Sequence, residues 1–191
     1  MSVMLVITGL SAQQQNAIPD LKYDENKSLT WEEAISFYSA LDGKYSEATL
    51  MEMGMTDAGR PLHLFIISSD GETDPAEIHR QGKTIVLINN GIHPGEPEGI
   101  DASARFAADL LADRNGMKKY LRNCSVAIIP VYNIGGALTR SRYWRINQNG
   151  PKEMGWRTTA NNLNLNRDFL KADAPEMRAW LRMFDKWLPE F

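Results

Sequence analysis

Two nearly continuous apolar runs, TIVLIN at residues 84–89 and VAIIPV at residues 126–131, constrain this chain more than any other feature. Neither alternates apolar with polar residues, so both read as strands buried on two faces. Between them Ile100, Ala104, Ala107 and Leu111 recur at helical spacing. Strand, helix and strand in a stretch of this length make a βαβ unit, whose crossover is right-handed in nearly all proteins. The two runs are therefore expected to lie parallel in an α/β fold.

The flanking segments extend that frame. Thr30 and Glu33 form a capping box, and Trp31, Ile35 and Tyr38 share one face of a helix that should end near Asp42 and Gly43. Runs at residues 48–53 and 62–68, joined by Thr56-Asp57-Ala58-Gly59, predict an antiparallel hairpin. Asp173 and Pro175 mark the start of a last helix, with Met177, Trp180, Leu181, Phe184 and Trp187 as its core-facing stripe. The expected fold class is α/β: a mixed twisted sheet with helices on both faces, opening with an antiparallel hairpin. Residues 30–191 read as one domain, after a polar leader or linker at 13–29.

Composition excludes several alternatives. Lys+Arg 21 against Asp+Glu 24 gives a formal net charge of −3, which argues against a bulk polyanion binder, and nucleic acid is not an expected partner. A single cysteine, Cys124, excludes an internal disulfide framework and a zinc site built on paired cysteines. Residues 1–12 (MSVMLVITGLSA) resemble the apolar segment and cleavage region of a secretory signal, which predicts export. No run approaches the ~20 apolar residues of a membrane span.

The chemistry begins where the strand at 84–89 stops. There the sequence reads Asn90-Gly91-Ile92-His93-Pro94-Gly95-Glu96-Pro97, and Pro94 with Gly95 forbids a regular helix through His93. In open α/β sheets, ligands bind at the carboxyl ends of strands. His93 and Glu96 can turn toward one point there, offering an imidazole nitrogen and a carboxylate that suit zinc. A charge anomaly follows. Residues 140–167 hold five arginines (Arg140, Arg142, Arg145, Arg157, Arg167) and Lys152 against Glu153 alone. The guanidinium fork matches carboxylates and phosphates, so this stretch predicts an anion site. Within it, Asn166-Arg167 pairs an amide with a guanidinium, a combination able to clamp a carboxylate.

His93-x-x-Glu96, then Arg142-x-x-Arg145, then Leu165-Asn166-Arg167-Asp168-Phe169 resembles the zinc metallocarboxypeptidases in order and approximate spacing, over roughly residues 45 to 191. The resemblance implies a Zn2+ cofactor held by His93 and Glu96. It implies that Arg145 stabilises the oxyanion, and that Asn166 and Arg167 bind the terminal carboxylate of a peptide or amino-acid conjugate. The family's usual aspartate two residues before the Asn-Arg pair is Asn164 here, whose carbonyl can still accept an imidazole N–H. The family's third zinc ligand and its general-base glutamate belong to later segments. The histidines here are His63, His79 and His93, and the first two read as structural or surface residues. The resemblance thus implies a C-terminally truncated, N-terminal part of a catalytic domain, inactive by itself, with an exposed sheet edge. Two other functions fit some of these residues: a zinc acyl-amino-acid deacylase, and a non-catalytic anion- or peptide-binding module using the 140–167 loop.

Overall fold

The computed structural model describes residues 18–191. The signal segment expected at 1–12 and the start of the 13–29 leader lie outside the described residues. Helix α1 (Trp31–Lys44) leads into the hairpin β1 (Ala48–Met55) and β2 (Pro61–Ile67), then α2 (Pro75–Arg80), β3 (Thr84–Asn89), α3 (Glu98–Leu111) and β4 (Cys124–Ile129). After them come a short α4 (Ile134–Leu138), a two-residue pair β5 (Arg140–Ser141) and β6 (Met154–Gly155), and α5 (Pro175–Trp187). The main sheet runs β1-β2-β4-β3. Its first two pairings are antiparallel and the β3–β4 pairing is parallel, with Thr84 opposite Cys124 and Asn89 opposite Ile129. The expected hairpin and βαβ unit are both present, and the fold is mixed α/β.

Side chains alternate between two cores because strand residues alternate between faces. Phe65, Ile67, Val126 and Ile128 point to α1 and α3, while Leu62, Leu64, Ile66, Ile85, Ala127 and Ile129 point to α2 and α5. Helices therefore cover both faces. Burial of each large apolar side chain in such a core contributes about 1.5–3 kcal/mol. The capping box starts α1: Thr30 Oγ1 accepts from Glu33 N at 3.1 Å, and Glu33 Oε2 accepts from Thr30 N at 2.9 Å.

Three expectations shift. The buried face of α1 is Ala34, Phe37, Tyr38 and Leu41, so Trp31 and Ile35 sit at its margin. In α5 the buried set is Met177, Ala179, Met183 and Trp187, whereas Leu181 and Phe184 are exposed and Trp180 packs in part. Small Ala179 faces in because α5 crosses close to β1, where a Cβ on Gly54 would lie 3.5 Å from Ala179 Cβ. Third, β3 is a sheet edge and only Ile85 within it is fully buried. That edge carries the chain's own last residues: Glu190 N donates to Ile85 O at 3.1 Å and Leu87 N donates to Phe191 O at 2.7 Å. The described part of the 13–29 stretch lies against the domain, with Leu29 buried and its N–H donated to Asp101 Oδ1 at 2.9 Å.

Candidate metal centre and anion-binding cleft

The loop after β3 is aimed by its backbone. Asn90 is buried, its Nδ2 donating to Ile129 O and its Oδ1 accepting from Ser103. Gly91 adopts φ +65, in the left-handed region that glycine enters without steric cost. The turn lays His93, Pro94 and Gly95, all buried, across the carboxyl ends of β3 and β4. Glu96 N donates to His93 O at 2.8 Å, folding the segment so that the two candidate ligands face each other.

His93 is 5% exposed and both its ring nitrogens have defined neighbours. Nε2 lies 3.3 Å from Asn164 Oδ1 and Nδ1 lies 3.5 Å from Glu96 Oε2. Asn164 Oδ1 also accepts from Asn166 N at 3.1 Å, which fixes which end of the amide is oxygen. An amide oxygen only accepts, so Nε2 carries a proton, and Nδ1 is the nitrogen turned toward the Glu96 carboxylate. Glu96 remains about half exposed. Burial pushes its pKa up, but the hydrogen bond and charge of Arg145, with the nearby His93, outweigh that and hold the carboxyl below its ordinary value. The group is therefore ionised at neutral pH.

Two guanidiniums face that carboxylate. Arg145 Nη2 contacts Glu96 Oε1, and Arg157 Nη1 lies 3.9 Å from the same oxygen. Close packing delivers Arg145: a Cβ on Gly95 would fall 2.8 Å from Arg145 Nε and 3.0 Å from Gly155 O. Asn166 and Arg167 sit in a 3-10 turn, Leu165–Arg167, anchored by buried Leu165 and Asp168. Asp168 holds the following segment by accepting from Asp173 N and Ala174 N, each at 2.9 Å. That anchoring leaves Asn166 and Arg167 exposed, two and three residues from the asparagine that steadies His93.

The structure thus brings His93, Glu96, Arg145 and Asn164 together. Part of the basic stretch has another role. Arg140 spends its guanidinium on Leu29 O, Ser28 O, Ser28 Oγ and Glu153 O, stitching the N-terminal segment to the loop, so it is no anion ligand. Arg142 is exposed and lies over the Tyr143 ring. It lines a cavity of about 730 Å³ between residues 22–33 and 140–154, whose lining does not include His93. His63 is buried in β2 opposite Glu52, and His79 lies in α2 with Nε2 3.1 Å from Trp187 O, so neither stands at the site. Arg157 and Asn133 were not singled out by motif. Arg157 was visible only as one of five arginines, and Asn133 carried no sequence signal.

Comparison with known proteins places the chain in a family. Residues 34–181 match the family model described as zinc carboxypeptidase. The chain belongs to the zinc carboxypeptidase family. Among curated relatives it is 23% identical over 135 residues to a probable carboxypeptidase 2 of Arthroderma benhamiae. It is 25% identical over 134 residues to carboxypeptidase 2 of Trichophyton rubrum. Each alignment covers 70% of this chain and 22% of the relative, so the chain spans about a fifth of the length of those relatives. A metallo-carboxypeptidase from Burkholderia cenocepacia superposes with TM-score 0.63 at 24% identity, covering 84% of this chain and 39% of that one. Carboxypeptidase A from Helicoverpa armigera gives 0.64 at 19%, covering 84% and 43%. These likenesses are of fold.

The family implies zinc, and the donors present suit it. An imidazole oriented by Asn164 stands beside a carboxylate, and nitrogen and oxygen donors of these kinds are the ligand chemistry zinc takes. They would supply two ligands. Among the described residues no three or more His, Cys, Asp or Glu side chains group to hold a metal ion.

Proposed function

We propose that this chain carries the anion-binding half of a zinc carboxypeptidase site, acting on peptides or amino-acid conjugates with a free C-terminal carboxylate. The observation that carries the reading is the orientation of His93: Nε2 is committed to Asn164 Oδ1, and Nδ1 faces the charged Glu96 carboxylate. His93 and Glu96 would hold the zinc, which when bound supplies a Lewis acid and lowers the pKa of a coordinated water.

The chain's own groups have distinct tasks. Asn164 keeps the imidazole in one tautomer and one orientation. Arg145 stands at the Glu96 carboxylate and keeps its charge at every working pH, so it can donate to an oxygen that becomes negative in the transition state. Arg167 offers a planar fork for the terminal carboxylate and Asn166 a neutral amide beside it. Two ligands fall short of the three expected at a catalytic zinc site. This chain by itself is therefore expected to bind zinc weakly and to show no measurable peptidase activity, as an N-terminal part of the catalytic domain at residues 30–191. The apolar residues 1–12 support an exported protein. No helix among the described residues is long and apolar enough to cross a membrane.

The test uses a short peptide and its C-terminal amide, titrated into the zinc-loaded chain. The free acid should bind about tenfold more tightly, the scale of one charge-assisted hydrogen-bond pair. Arg167→Ala should abolish that preference. An unchanged preference in Arg167→Ala would refute the clamp.

A further inference from the structure

The Glu96 carboxylate faces two guanidiniums, and the second is as firmly placed as the first. Arg157 O accepts from Asn133 Nδ2 at 3.0 Å, and Asn133, fully buried, also caps Gly136 N at 2.9 Å through Oδ1. Trp156 N donates to Gly136 O at 2.8 Å. A Cβ on Gly136 would fall 2.4 Å from Trp156 O and 2.7 Å from Thr158 O, and one on Gly135 would fall 2.4 Å from Ala160 N. The backbone around Arg157 thus lies directly on a glycine pair that admits no side chain. Next to it the Trp156 ring packs 4.7 Å from Trp144, the neighbour of Arg145. The backbone is held while the side chain stays 38% exposed, with Nη1 3.9 Å from Glu96 Oε1.

The charges at this point do not cancel. Arg145 and Arg157 share one carboxylate, a surplus of one positive charge. A divalent cation on Glu96 would claim that carboxylate and leave both guanidiniums without a counter-charge. The substrate's terminal carboxylate belongs to Arg167 in the reading above, so it does not neutralise Arg157. A fork held beside the metal ligand and left unmatched selects a planar anion.

We infer that Arg157 is a specificity-determining residue that binds a second carboxylate of the substrate, on the acidic side chain of the residue N-terminal to the scissile bond. The inference rests on the carboxypeptidase reading, since that reading sets the substrate's direction. Arg157 shares an oxygen contact with Arg145, on the metal side of the cleft. The acid is therefore assigned to the residue that contributes the scissile carbonyl.

The test titrates the zinc-loaded chain with acetyl-Glu-Phe and acetyl-Gln-Phe, which differ by one carboxylate. The wild type should prefer the Glu peptide about tenfold. In Arg157→Gln the gap should fall below about twofold with the Gln peptide's affinity unchanged, and Arg157→Lys should retain part of it, a point charge without the fork. Arg167→Gln should weaken both peptides and keep the gap. No gap in the wild type, or a full gap in Arg157→Gln, overturns the inference. Zinc affinity is measured in parallel: if Arg157→Gln lowers it while leaving the gap intact, Arg157 merely steadies Glu96 and the inference fails. Failure of either peptide to bind overturns it as well. A gap that persists in Arg167→Gln with neither peptide weakened would support Arg157 while refuting the terminal-carboxylate clamp.

Discussion

Two glutamates meet the loop at residues 156–168, Glu96 through Arg157 and Glu176 by way of Asp57, and their surroundings shift their pKa values in opposite directions. Glu96 is half exposed, meets Arg145, Arg157 and His93, and is held below the ordinary carboxylate range. Glu176, second residue of α5, is 0% exposed. Its Oε1 accepts from Asp57 N at 2.9 Å, while Oε2 has no partner. Its titratable neighbours include Asp57 in the β1–β2 turn and the Tyr132 hydroxyl. Burial, then the neighbouring Asp57 carboxyl, pushes its pKa up to about 7, against the opposing effect of the Asp57 backbone N–H. Asp57 in turn accepts from Ala160 N at 3.3 Å and Asn161 N at 2.9 Å. One glutamate is thus kept ionised to meet a cation. The other is pushed toward its protonated form by burial beside Asp57, the residue that holds the loop through Ala160 N and Asn161 N.

The largest effect that would break this contrast is on stability against pH. A folded pKa of about 7 against an ordinary 4.5 means the folded state keeps a proton that the unfolded chain releases. That stabilisation is fully present below about pH 4.5 and is lost as pH rises toward 7, by about 3 kcal/mol in all. Asp101, buried and raised to about 6, adds a slope of the same sign that ends near pH 6. Urea unfolding midpoints should therefore fall between pH 5 and 7.5. Glu176→Gln, whose amide can donate to Asp57, should remove the part of the decline above pH 6. An unchanged decline in that variant would show that Glu176 carries no proton.

A smaller effect sharpens the other side. Asn164→Asp would add a negative charge behind His93 and should tighten zinc binding about tenfold, while Asn164→Ala should weaken it by a similar factor. Equal zinc affinity in the three proteins would mean that the 3.3 Å contact to His93 does not orient the ligand. The smallest effect is on Glu96 itself. Glu96→Gln should alter folding stability at pH 7 by no more than about 0.5 kcal/mol, because exposed ion pairs contribute little. A loss of several kcal/mol on chemical unfolding would make Glu96 a structural residue and dissolve the contrast.

How far the sequence went follows the same division. Features set by local chemistry were legible: the capping box at Thr30 and Glu33, the hairpin turn at Thr56 to Gly59, and parallel β3 and β4 from their apolar runs. His93 and Glu96 could also be found, because a strand end, two helix breakers and a short spacing bring them together within little chain, whereas Asn164, 71 residues from His93, was marked only by the family resemblance. What escaped depends on contacts between distant segments. Helical spacing gives a face for α5 but not its rotation, so Leu181 and Phe184 read as core while Ala179 and Met183 occupy it. Asp57 and Glu176 stand 119 residues apart, and nothing local marks either one. Arg140 and Arg157 look alike in sequence, yet one is spent on carbonyls and the other faces the cleft.

The central claim is that His93 and Glu96 are the metal-holding pair. The direct measurement is a zinc titration of the chain, by competition with a chromophoric chelator, for the wild type, His93→Ala and Glu96→Ala. The account predicts weak one-to-one binding in the wild type and a loss of about tenfold or more in each variant. Zinc affinity unchanged by either substitution would contradict it.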